Sequence, residues 1–138
     1  MVYNKYILYL ILSVTLSLVW MILGRKMYGY NKKFPKIFGL CVYPLFGWII
    51  GLFVLALVYD FFTTILSKTL IIIVLIPLFC VLLILAEYIG YHAFSVHNVV
   101  TANYPPLPFI DAMHGPVWMR TVYFAMGIIM IFLLAILS

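Results

Sequence analysis

Apolar residues in this chain come in four long runs with almost no charge inside them, separated by two polar interruptions and one short turn. Each run is about the 20 residues that an α-helix needs to cross the hydrocarbon core of a bilayer. The runs predict helices over residues 6–24, 37–59, 69–91 and 116–137. In a bilayer every backbone N–H and C=O must be satisfied within its own segment or a closed barrel, and runs of this length select helices. The predicted fold class is therefore all-α: an integral membrane four-helix bundle, one polytopic unit over residues 1–138, with a long ordered loop between the third and fourth helices. The first run resembles a signal peptide only superficially. Its flank carries just Lys5, the run is too long, and no small-x-small cleavage site follows it.

Proline, glycine and hydroxyl residues punctuate the runs. Pro35 and Pro116 suit the first turns of the second and fourth helices, where a missing N–H costs nothing. Ser67 and Thr69 are candidate caps of the third helix. Pro77 falls inside that helix and predicts a kink. Gly47 and Gly51, four apart in G-W-I-I-G, form a flat strip that predicts close approach of another helix.

Composition agrees with this pattern. The chain is 68% hydrophobic and 8% charged, and its mean hydropathy is +1.27. A soluble domain of 138 residues cannot bury so much apolar side chain. The formal charge of +5 is no nucleic-acid footprint, because five of the eight basic residues, Arg25, Lys26, Lys32, Lys33 and Lys36, share one short loop. Such a cluster beside a span stays on the cytoplasmic or matrix side, which puts loop 25–36 inside and both termini outside. The expected location is the plasma (inner) membrane or an organellar inner membrane. Cys41 and Cys80 lie in different runs and at different depths, so a disulfide between them is not expected.

Candidate chemistry is concentrated between Glu87 and Arg120. This stretch holds all three histidines, two of the three acidic residues and four of the seven prolines. Glu87, near the end of the third run, and Arg120, near the start of the fourth, should share a depth. A Glu87–Arg120 pair is the expected arrangement there, since each charge alone is costly in low dielectric. His92, His97, Asp111 and His114 are ligand-type groups. With Glu87 and Arg120 they make up the candidate polar site. A metal centre drawn from His92, His97, Asp111 and His114 would suit iron, zinc or copper. Asp111 and His114, three apart, could share a face of a helical turn, whereas His92 and His97 could not. The sequence lacks H-E-x-x-H, C-x-x-C, G-x-S-x-G and a glycine-rich phosphate loop. The proline-rich run Asn103–Ile110 is stiff and apolar and should fold back over the inner mouth of the bundle.

Two functional expectations follow. The first is a non-catalytic structural or accessory subunit of a larger membrane complex, with lipid, other membrane subunits or a second copy as partners and no nucleic acid. The second is a membrane enzyme or metal-binding subunit that uses the Glu87–His114 region on a small or lipophilic substrate.

Overall fold

The computed structural model describes residues 2–138, with side chains from Asn4 onward. It is all-helical apart from one short hairpin. The elements are α1 (Val2–Leu23), β1 (Lys36–Ile37), β2 (Leu40–Cys41), α2 (Val42–Phe62), α3 (Lys68–His92) and α4 (Val117–Leu137). All four helices are long and apolar enough to span a bilayer, and their many exposed large apolar side chains imply contact with lipid.

Helix ends follow local chemistry. Ser67 caps α3, its hydroxyl accepting from Leu70 N, and Pro116 immediately precedes α4. α3 continues through Pro77 without a break in its helical assignment. The start of α2 corrects the sequence expectation. Residues 36–41 form an antiparallel hairpin, so the helix begins at Val42 and Pro44, not Pro35, occupies its first turn. The apolar run conceals this turn because Ile37, Phe38 and Leu40 are themselves apolar. The backbone reverses at Phe38 and Gly39, both with positive φ (50° and 77°). Val42 N then closes the hairpin on Pro35 O at 3.0 Å.

α1 packs on α2, α4 on α2, and α3 on α4, while α2 and α3 touch only sparingly. A bundle connected in this way is packed in the order α1, α2, α4, α3 and is splayed between α2 and α3. Gly127 of α4 lies directly against the Phe79 ring of α3, which fixes the α3–α4 contact.

The two long loops meet at one end of the bundle and are laced together. Asn31 N donates to His97 O at 3.0 Å, and His97 N donates to Asn31 Oδ1 at 2.9 Å. Asn98 Nδ2 donates to Met27 O at 2.8 Å, and Lys32 Nζ donates to Phe94 O at 2.6 Å. At the opposite end Lys5 pairs with Asp60 at 2.8 Å, and Tyr9 Oη donates to the same carboxylate at 3.1 Å. That pair pins α1 to α2. Cys41 and Cys80 are both free thiols.

Candidate functional site

Splaying α2 from α3 leaves a cavity of about 490 Å³, backed at its loop end by Met119, Arg120 and Tyr123 of α4. Its lining repeats at helical spacing on both flanks: Tyr43, Gly47, Gly51, Val54 and Val58 on α2, and Leu75, Leu78, Leu82, Ala86, Glu87 and Gly90 on α3. Positions 43 to 58 at 1.5 Å per residue make a groove about 22 Å long. Gly47, Gly51, Val54, Leu78 and Leu82 are exposed although they border the cavity, so the groove opens sideways toward lipid.

The groove is amphiphilic along its length. Toward the end away from the loops it is purely aliphatic and aromatic. At the loop end Tyr28, Tyr30, Tyr43, Glu87, Asn98, Thr101, His114, Arg120 and Tyr123 gather within one turn or so of helix and the loops above it. Thr101, Ala112, Met113 and Gly115 are buried, so the long loop closes this end as an ordered roof.

Gly47 and Gly51 occupy a different setting from the one their spacing suggests. A Cβ added at either would meet no atom within 4 Å, so neither glycine makes a close helix contact within this chain. They floor the groove instead. The close-packed glycine is Gly127, which the four-residue spacing does not single out.

Glu87 faces the groove, half-buried, and has no hydrogen-bond or ion-pair partner among the described residues. The Glu87–Arg120 pair expected from their matched depth is therefore not formed. Arg120 also borders the cavity, but its Nη1 donates to Pro106 O at 3.3 Å. The proline-rich loop brings that carbonyl over the helix start and draws the guanidinium upward.

The histidines form a separate cluster beside the roof. Asp111 bridges two of them, with His114 Nε2 at 2.8 Å from Oδ1 and His92 Nε2 at 3.2 Å from Oδ2. His114 Nδ1 is 3.1 Å from Tyr104 O, and His97 Nε2 is 3.0 Å from Tyr91 O. The Tyr91 ring stacks between His97 and His114, at centroid distances of 4.0 and 5.0 Å. Asp111 and His114 thus meet as their spacing suggests, but on an irregular segment rather than a helical turn. Met113 between them is held at φ 58°, a left-handed conformation costly for a bulky side chain. Among the described residues no three His, Cys, Asp or Glu side chains gather as metal ligands. His92, Asp111 and His114 bond to one another, and each histidine also places a ring nitrogen on a backbone carbonyl, contacts that stabilise the roof.

Sequence reasoning missed a third polar group. Trp20 Nε1 donates to Tyr28 Oη at 2.7 Å, Trp48 Nε1 lies 3.4 Å from the same oxygen, and Tyr28 Oη is 2.9 Å from Tyr123 Oη. These residues come from α1, the first loop, α2 and α4, with Tyr28 and Tyr123 95 positions apart. The one local signal is that Tyr123 lies three residues after Arg120, on the same helix face. Burial pushes the Tyr28 hydroxyl up to about 12. The Glu87 charge adds to the rise, and the hydrogen bonds with Tyr123, Trp48 and Trp20 oppose it. Burial likewise raises the Tyr30 hydroxyl, with Tyr28 and Glu87 contributing. Both phenols therefore stay protonated over the physiological range. In comparisons with known proteins, no family model, curated protein or solved structure matches the chain.

Proposed function

We propose that this membrane protein binds a lipophilic molecule in the groove between α2 and α3. Its apolar part lies along the aliphatic stretch, and its polar head sits under the loop roof. The observation that carries this reading is the groove itself: large enough for a ligand, open toward lipid, apolar along most of its length and polar at one end only. Ionisable groups at membrane depth are expensive, and an unpaired Glu87 facing a groove has the character of a ligand contact rather than a structural clamp. This deepens the second sequence expectation, a lipophilic substrate at the Glu87–His114 region. The accessory-subunit expectation draws on the exposed apolar helix faces, which bilayer contact explains equally well. On the positive-inside asymmetry of loop 25–36, we place the roof on the cytoplasmic or matrix side.

Gly51→Trp tests the reading, because a Cβ at Gly51 meets no atom within 4 Å and the indole beyond it is directed at the groove that Gly51 lines. Lipids extracted from wild-type protein purified in mild detergent should include a species that is missing from the variant, as judged by mass spectrometry. Identical lipid content in two equally well-folded proteins would overturn the proposal.

A further inference from the structure

The hydrogen bonds among Trp20, Trp48, Tyr28 and Tyr123 have a direction fixed by valence. An indole N–H can only donate, and a phenol has one proton and two lone pairs. Trp20 and Trp48 occupy the acceptor positions of Tyr28 Oη. Tyr28 must then give its own proton to Tyr123 Oη. Tyr123 receives that bond through its oxygen and keeps its O–H, for which the described residues offer no acceptor. Tyr123 is only 7% exposed and borders the groove, so this proton is withheld from bulk water and presented to the cavity. Each link polarises the next, which makes Tyr123 a stronger donor than an isolated phenol.

Across the groove α3 supplies the complement. The Glu87 carboxyl has acceptor oxygens in either protonation state, and no group among the described residues uses them. The head of the groove therefore offers one directed donor and one free acceptor. We infer that the ligand is a neutral acyl lipid whose head carries both an ester carbonyl and a free hydroxyl, as an acylglycerol does. Tyr123 donates to the carbonyl, the hydroxyl donates to Glu87, and the chain runs between α2 and α3. From Glu87 to Leu75 the groove extends about 18 Å at 1.5 Å per residue. That is slightly more than one leaflet of a hydrocarbon core about 30 Å thick. A phospholipid would bring its phosphate beside Glu87 while Arg120 is turned to Pro106 O. A quinone offers acceptors alone and uses half of the site. The inference rests on the lipophile-binding reading above.

The probe is 1-monooleoylglycerol with a dibrominated chain, titrated into micellar protein. Quenching of tryptophan fluorescence reports binding, since Trp48 lines the groove. Two matched probes complete the set: the ether analogue, which lacks the carbonyl, and the oleate methyl ester, which lacks the hydroxyls. Tyr123→Phe should weaken the monoacylglycerol about three- to tenfold and leave the ether unchanged, the range expected for one hydrogen bond. Glu87→Leu should weaken the monoacylglycerol and leave the methyl ester unchanged. If Tyr123→Phe fails to fold, the Glu87→Leu comparison decides alone. The inference is overturned if either variant treats its matched probes alike, or if a prenylated benzoquinone outcompetes the monoacylglycerol in a Tyr123-dependent way. Gly51→Trp separates the two levels. If it binds every probe as wild type does, the groove is not the site. If it abolishes binding while the head-group variants do not discriminate, only the acylglycerol assignment falls.

Discussion

The two sides of the bundle solve the same problem differently. On the α1–α2 side a carboxylate at one end, Asp60, is held by Lys5 and Tyr9, and the two helices pack closely. On the α2–α3 side a carboxylate at the other end, Glu87, has no partner among the described residues, and the helices diverge around a cavity. One side uses its polar groups to fix helices to each other. The other leaves its carboxylate out of the fold, at some cost in stability, which is the arrangement expected under the proposed ligand-binding reading. If that contrast is right, substitutions of like kind should have opposite consequences on the two sides.

The largest difference is expected at the glycines. Gly127→Leu drives a side chain into the Phe79 ring and should destabilise the protein by about 3 kcal/mol, the upper range for overpacking. Gly51→Leu meets open space, and the gain in helix propensity should leave the unfolding midpoint unchanged or slightly raised. Thermal unfolding of both variants in one detergent measures the pair. Equal losses would mean that the groove is closed in the membrane.

This pair also shows what the sequence could and could not say. The four spans were legible because a bilayer leaves few other uses for 20 apolar residues. The hairpin at 36–41 was hidden because Ile37, Phe38 and Leu40 extend an apolar run and only the backbone at Phe38 and Gly39 breaks it. Gly47 and Gly51 were visible as a motif, but a motif gives spacing and not the occupant of the opposite face. Glu87 and Arg120 border the same cavity, but pairing also depends on azimuth and on a competing carbonyl, Pro106 O, that arrives from the loop. The Trp20–Tyr28–Trp48–Tyr123 network draws on four separate segments, and no local pattern announces such a set.

A second contrast lies in alkali. The Tyr28 hydroxyl is raised from 10.0 to about 12, chiefly by burial, so the unfolded chain ionises there first. Stability from this group is complete below pH 10 and is lost as pH rises toward 12, by about 2–3 kcal/mol for a shift of this size. Wild type should lose stability between pH 9 and 11.5 more steeply than Tyr28→Phe, as read by denaturant unfolding. Parallel slopes would show that the hydroxyl is solvated and that the network is not closed.

The smallest effects set the two carboxylates against each other directly. Asp60→Asn keeps size and polarity but removes the charge that Lys5 faces. With side chains 42% and 24% exposed the ion pair is partly screened, so the loss should be about 1 kcal/mol, including the weakened bond from Tyr9. Glu87→Gln removes a charge with no partner among the described residues, so none of them is left unpaired by the change. Its unfolding free energy in ligand-free detergent should stay within about 0.5 kcal/mol of wild type or rise, because a neutral amide is cheaper to hold at membrane depth than a carboxylate. A loss at Glu87 as large as that at Asp60 would mean that the fold, rather than a ligand, depends on the carboxylate, and the two sides would then be built alike. A neutral Glu87→Gln beside a destabilising Asp60→Asn leaves Glu87 with no structural work, and a carboxylate maintained there without one is explained by what enters the groove.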